Sequence, residues 1–399
     1  MIMKRKYALV LSGGGFKGAF QVGALKHLEQ NWHLLDPSGA PMHFDIVAGI
    51  SVGSLNGGMV AMNKMAEMEE LWKQVAQNGV EEIYTSPFID TKAKGDKPKF
   101  DFNIEALIRH FLPDFELKAN IWDGISMLLS KKARQRFLQK VMAEAAQQLK
   151  ASTKNFKSLA DNSPLQEKLK KHFDKDQIKD CEFLCGLVDL DKGLYSGVSH
   201  HDFLTNDDFI NGVLASTVMP IVWEPVQLIR TNQRIIRNSV DGGIRNNSPL
   251  ADVIEAIDRR ATADTEYVLV VINCNNGEIV EENFDQANVM QIALRSMTEI
   301  TLSEIFNNDL ELFLRVNDLV KQAGNSGLQL TKESNIDNMR IVKPLRAFRS
   351  IVIQPEGSIL GDMLVANETL IKTRLDHGIE KASEALQNFI AEEEQAEAA

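Results

Sequence analysis

Tyr7 to Leu11 is an unbroken apolar run that stops at Ser12-Gly13-Gly14-Gly15, and Val22, Leu25 and Leu28 then recur at helical spacing between Ala19 and Gln30. This pattern predicts a buried strand, a glycine turn and a helix. The same signals return at once. Phe44 to Ala48 reads as a second buried strand, Gly49-Ile50-Ser51-Val52-Gly53 as a sharp turn, and Ser54 to Met65 as a helix. Two consecutive strand-turn-helix units predict an α/β fold, with a mostly parallel central sheet flanked by helices.

Further along, the alternation is interrupted. Thr85 to Asp101 is rich in Lys, Pro and Gly, and the stretch after it reads helical with polar breaks, so residues 81–180 are expected to form an inserted helical lobe. Sheet signals resume with Phe183 to Leu190, a turn at Asp191-Lys192-Gly193, and Leu194 to Ser199, which together predict a hairpin. A helix is expected over Asp207 to Ala215, with strands over Val226 to Arg230 and Arg234 to Val240. Glu266 to Asn273 is nearly continuous in apolar, β-branched residues, the pattern of a strand buried on both faces. Long helices are expected over Val289 to Gln322 and Leu364 to Ile390. The main body is thus assigned to 1–80 and 181–390, and the charged tail 391–399 is expected to fray.

Composition narrows the class. With 399 residues, 44% hydrophobic and 25% charged, the chain matches large globular proteins rather than disordered or fibrous ones. No apolar run approaches the roughly 18 residues of a membrane span, and the apolar stretch after the basic start is too short for a secretory signal, so a cytoplasmic location is expected. The net charge of -11 argues against nucleic acid as a partner. Between Lys131 and Lys179, however, thirteen Lys or Arg stand against five Asp or Glu, making the expected lobe locally basic. Cys181, Cys185 and Cys274 are too few for a disulfide framework and lack zinc-ligand spacing, so no metal site is expected.

The turn at Gly49-Ile50-Ser51-Val52-Gly53 has the form of a nucleophile elbow, in which small neighbours make room for a serine on strained backbone. It also sets Ser51 at a helix N-terminus, where unpaired N–H groups favour developing negative charge. The second candidate is Gly13-Gly14-Gly15-Phe16-Lys17-Gly18, whose backbone amides can cradle an oxyanion or a phosphate. Gly13, Gly15 and Gly18 also satisfy G-x-G-x-x-G, which points to a dinucleotide site with Asp36 or Asp45 as the distant acid. A dinucleotide fold has no use for a second glycine-flanked serine turn, so the pair of loops favours acyl transfer. A base for the serine is offered by Asp241-Gly242-Gly243 at the end of a later strand. None of the eight histidines, at 27, 33, 43, 110, 172, 200, 201 and 377, sits at a glycine-bracketed strand end.

Taken in order, these blocks resemble the patatin-like phospholipases: a glycine triplet followed by a basic residue and glycine (Gly13-Gly14-Gly15, Lys17, Gly18), then G-x-S-x-G (Gly49, Ser51, Gly53), then D-G-G (Asp241, Gly242, Gly243). Ala215-Ser216-Thr217-Val218-Met219-Pro220 is similar to that family's A-S-x-x-x-P segment. The resemblance runs from about Tyr7 to Pro249, outside the lobe. Ser12 replaces the family's Asp before the triplet, which leaves backbone donors in place. What the resemblance implies is a three-layer patatin-like fold and a Ser-Asp dyad without histidine. Ser51 would be the nucleophile and Asp241 the base, with the amides of Gly13, Gly14 and Gly15 forming an oxyanion hole worth about 3 to 4 kcal/mol per donor. Asp241 must then be partly desolvated, because an aspartate at its ordinary pKa of about 3.9 is a poor base.

The expected substrate is a fatty acyl ester, of a phospholipid or lysophospholipid, and no metal or organic cofactor is implied. Met59, Met62, Met65 and Met68 recur at intervals of three, as core packing or as a pliable wall for an acyl chain. In the lobe, an apolar stripe (Leu138, Met142, Ala145, Leu149) beside Lys132, Arg136 and Lys140 suits either packing on its own domain or peripheral contact with an anionic membrane. The loop Pro87 to Phe102 is a candidate lid. Two other functions stay open from sequence: a nucleotide-dependent oxidoreductase using the glycine loop, and a catalytically silent lipid-binding protein.

Overall fold

The first apolar run becomes strand β1 (Lys4–Leu11), and its alternation is resolved by packing on both faces: Leu9 and Leu11 enter one core cluster, Ala8 and Val10 another. The computed structural model describes residues 4–90, 101–111, 156–262, 264–279, 281, 283–285, 287, 289–336 and 339–398. Helix α1 (Gly18–Gln30) follows β1, then β2 (Ile46–Ile50), α2 (Val52–Ala61) and α3 (Met65–Asn78). The short pair β3 (Ile89–Asp90) and β4 (Asp101–Phe102) leads to α4 (Ile104–Phe111), and α5 (Ser163–His172) precedes β5 (Glu182–Asp189). After β6 (Leu194–Ser199) come α6 (Asn206–Thr217), β7 (Val226–Arg230), β8 (Ile235–Asp241), α7 (Leu250–Arg260) and β9 (Thr265–Ile272). The C-terminal part contains α8 (Val289–Arg295), α9 (Leu302–Asn325), the hairpin β10 (Thr331–Ile336) and β11 (Met339–Pro344), β12 (Arg349–Ile353) and α10 (Glu368–Ala398).

Among the described residues an eight-stranded sheet has the order β12-β9-β1-β2-β5-β8-β7, with β6 also paired to β5. Strands β12, β9, β1, β2 and β5 run parallel, while β6, β7 and β8 join antiparallel. The fold is therefore α/β with a mixed, mostly parallel sheet flanked by helices. Apolar residues of α1, α2, α6 and α10 cover one face of this sheet, and those of α7 and α9 cover the other.

Several expectations change in detail. The helix expected over 289–322 is split by a π-helical turn at Ser296–Thr301. The tail expected to fray continues α10 as far as Ala398, and Glu393 is tied there by ion pairs to Arg5, at 3.0 Å, and to Arg349. Within the expected lobe, α5 buries Leu165 and Leu169 in the main core. The basic stripe around Leu138 and most of the candidate lid lie outside the described residues.

Candidate active site

The turn between β2 and α2 is built as the sequence pattern requires. Ser51 has φ 56° and ψ -127°, a conformation that costs a non-glycine residue about 1–3 kcal/mol and persists only when its surroundings enforce it. Here the enforcement is visible. The Ser51 amide donates to Oγ of Ser216 at 3.0 Å, and that hydroxyl donates to the Gly186 carbonyl at 2.6 Å. Ser54 Oγ lies 2.8 Å from both Ser216 Oγ and the Gly49 carbonyl. A methyl group on Gly49 would lie 2.1 Å from the Gly53 carbonyl, and one on Gly53 would lie 2.3 Å from the Leu11 carbonyl, so both glycines are steric requirements.

Strand β5 sets the distance between the serine and the aspartate. Ile50 pairs with Gly186 on one side of β5, and Asp241 pairs with Leu187 on the other. Ser51, one step beyond Ile50, and Asp241 thus stand at the same level two strands apart, about 10 Å between backbones. Their side chains approach across β5, and the nearby Ser51 hydroxyl acts to lower the Asp241 pKa. Asp241 is 7% exposed, and burial pushes its pKa up to about 7 against the opposing hydrogen bond from the Gly243 amide, at 2.8 Å, and the influence of the nearby Ser51 hydroxyl. Its own amide is held by the Val218 carbonyl at 2.9 Å.

Next to the serine, the glycine loop is clasped from three sides. Methyl groups would meet Asn247 Oδ1 at Gly13 (2.5 Å), Cys274 Cβ at Gly14 (2.4 Å) and the Met363 carbonyl at Gly15 (2.4 Å), and the first would also lie 3.3 Å from Ser51 Cβ. The Gly13 amide is directed to the Asn247 carbonyl at 3.4 Å, whereas the amides of Gly14 and Gly15 have no acceptor among the described residues. Ser12 Oγ accepts the Cys274 amide at 2.9 Å, which anchors the loop to the end of β9. Lys17 Nζ donates to Asn275 Oδ1 at 3.2 Å and braces the loop from the same side. Gly18 packs directly on Val52 of α2, and Gly242 on the backbone of Gly186. Gly243 supplies the amide on Asp241.

From Ser51 and Gly15 a cavity of about 120 Å³ runs along α2. Leu55, Met59, Met68, Trp72, Leu169 and Phe173 give it an apolar wall. Its one buried amide side chain on α2, Asn56, is fully engaged by Trp72 Nε1, the Gly18 carbonyl and Gln21. Of the four spaced methionines, Met59 and Met68 line the cavity, and Met62 and Met65 are core. No histidine lines it among the described residues; His172 pairs with Glu67, and His377 with Glu380 and the Glu356 amide.

The acids that a dinucleotide site would need are elsewhere. Asp45 precedes β2, at the opposite end of that strand from the glycine loops, and is paired with Lys6 at 2.7 Å, while Asp36 accepts the Ser38 amide in an exposed turn. The place for such an acid, the carboxyl end of β2, is taken by Ser51. Among the described residues no group of three or more His, Cys, Asp or Glu side chains could hold a metal ion, and no helix is long and apolar enough to cross a membrane.

The family model described as patatin-like phospholipase matches residues 9–254. The chain belongs to this family. Among solved structures it is similar to VipD from Legionella pneumophila, at 12% identity and a TM-score of 0.38, covering 96% of this chain and 67% of that one. It is also similar to the heterodimeric ExoU-SpcU complex from the type III secretion system of Pseudomonas aeruginosa, at 14% identity and a TM-score of 0.27, covering 97% of this chain and 60% of that one. No curated protein matches the sequence. The patatin-like match ends at 254, so the segments that press on the glycine loop from Cys274 and Met363 lie beyond it.

Proposed function

We propose that the protein is a serine carboxylic ester hydrolase that cleaves fatty acyl esters of phospholipids or lysophospholipids through Ser51 and Asp241. One observation carries this reading: a strained serine that lines an apolar cavity stands across one strand from a buried carboxyl whose pKa burial raises to about 7. Ser51 Oγ attacks the ester carbonyl while its proton passes to the Asp241 carboxylate. The amides of Gly14 and Gly15, with Gly13 beside them, receive the oxyanion. When the carbon–oxygen bond to the leaving alcohol breaks, Asp241 returns the proton to that alcohol, leaving acyl-Ser51. Water then attacks the acyl-enzyme, giving its proton to Asp241, and collapse releases the fatty acid as Ser51 is reprotonated. No metal or organic cofactor enters these steps. The acyl chain occupies the cavity along α2. Residues 81–180 are proposed as the membrane-facing insertion on the ground of their cluster of Lys and Arg.

The test compares wild type, Ser51→Ala and Asp241→Asn on a panel of phospholipid and lysophospholipid vesicles, with fluorophosphonate labelling of the serine. Loss of labelling and turnover in Ser51→Ala, and a fall of about 10²- to 10⁴-fold in Asp241→Asn, are expected with folding intact. Full activity in the aspartate variant would exclude the dyad. Vesicle binding by wild type without hydrolysis of any ester would point instead to a silent lipid binder.

A further inference from the structure

Helix α10 carries an arginine with no solvent exposure, Arg374, on which the Asp362 carboxylate acts electrostatically. Its guanidinium instead serves three main-chain carbonyls: Nε donates to Leu360 at 2.8 Å, Nη1 to Val365 at 2.9 Å and Nη2 to Asp362 at 2.6 Å. A buried cation is costly unless its donors are satisfied, and a loop that turns its carbonyls inward needs donors in a fixed fork. Each supplies what the other lacks. The segment 360–365 is thereby fixed from below, and it is also tied by the Leu364 amide to Asp362 Oδ1 at 2.8 Å and by Tyr84 Oη to the Leu364 carbonyl at 3.1 Å.

This segment touches the chemistry at one atom. The Met363 carbonyl accepts the Phe16 amide at 2.8 Å and lies 2.4 Å from where a methyl on Gly15 would be, so it dictates how the glycine turn is seated. Met363 and Leu364 then face the same cavity as Ser51 and Gly15. We infer that Arg374 is a positioning residue for the reaction: by fixing residues 360–365 it seats the Met363 carbonyl, and through it the Gly14 and Gly15 amides that receive the oxyanion. The inference rests on the serine hydrolase reading above. Burial lowers the Arg374 pKa only to about 10, with the Asp362 carboxylate opposing the fall, so the group stays charged at neutral pH.

The experiment uses the full chain with Arg374→Lys, which keeps the cation but loses the fork, and Tyr84→Phe, which removes a second tether of the same segment. Thermal midpoint, kcat and KM on a short-chain p-nitrophenyl ester, and the rate of phosphonylation of Ser51 by a fluorophosphonate are read together. Arg374→Lys is expected to melt cooperatively, keep KM within about twofold and lose about 10- to 100-fold in kcat, with phosphonylation falling in step. A smaller fall in kcat at unchanged KM is expected for Tyr84→Phe. A folded Arg374→Lys with wild-type kcat, or with a defect in KM alone, would overturn the inference. Should Arg374→Lys fail to fold, Tyr84→Phe decides, and wild-type kcat there is equally fatal. A wild-type chain that neither hydrolyses the ester nor labels at Ser51 overturns the underlying reading instead, and this inference with it.

Discussion

The backbone amide of Ser51 is held by the hydroxyl of Ser216, a side chain 165 residues away, at 3.0 Å. The same hydroxyl donates to Gly186 on the strand that separates the serine from the aspartate. Replacing Ser216 by alanine removes the acceptor of the Ser51 amide and a donor to the Gly186 carbonyl, at a cost of about 1–3 kcal/mol. It also frees the elbow to relax, and kcat should fall by at least about tenfold while KM changes little. Urea denaturation and steady-state kinetics on one preparation check both effects.

The raised pKa of Asp241 gives two pH signatures. As the base, it must be ionised, so kcat/KM should rise with pH through about 7 and level off above it. For stability the sign is opposite. A carboxyl whose folded pKa exceeds its unfolded value stabilises the fold fully below the unfolded value, and this contribution is lost as pH rises through about 7. The loss is at most about 4 kcal/mol by the rule of 1.36 kcal/mol per unit. Asp252 and Asp309, each pushed up to about 6 chiefly by burial, weaken wild type and variant alike over the same range. Thermal melts of wild type and Asp241→Asn from pH 5 to 8 isolate the first group: the wild-type advantage should shrink with pH, and a constant difference would contradict the burial of this carboxyl.

Met59 sits eight residues beyond Ser51 on α2, about 12 Å along the helix axis, and lines the cavity. Met59→Trp should block the far part of the cavity. Long-chain esters should lose about tenfold or more in kcat/KM while short-chain esters are unaffected. Equal effects on both lengths would mean that the acyl chain lies elsewhere.

Gly53→Ala places a methyl against two backbone carbonyls, those of Leu11 and Ser12, which cannot swing aside. A destabilisation of about 3 kcal/mol or more is expected by chemical denaturation, with loss of serine labelling.

Local pattern made much of this readable. The apolar runs of β1 and β2, the glycine turns after them and the hairpin of β5 and β6 each carry their signals within a dozen residues. The order of Ser51 and Asp241 blocks was legible too, and the family shared by residues 9–254 agrees with that resemblance. Long-range partners were not. The cavity wall draws Trp72, Tyr84, Leu169, Phe173 and Trp223 from separate segments, and no local spacing relates them. Ser216 could be placed in a block, but its bond to Ser51 depends on how α6 docks over β5. Asn247, which presses on Gly13, follows the aspartate block without any signal of its own, and Arg374 reads as an ordinary charged residue on a helix. The tail misled because its composition suggests fraying, whereas the ion pairs of Glu393 depend on strands 40 and more residues upstream.

Strand β5 lies between Ser51 and Asp241, so neither can find the other until both of its edges are occupied. During synthesis the serine elbow leaves the ribosome about 190 residues before Asp241 does. On the proposed chemistry, an unfinished chain therefore lacks hydrolytic competence until β8 has joined β5 and the later segments carrying Cys274 and Met363 have seated the glycine loop.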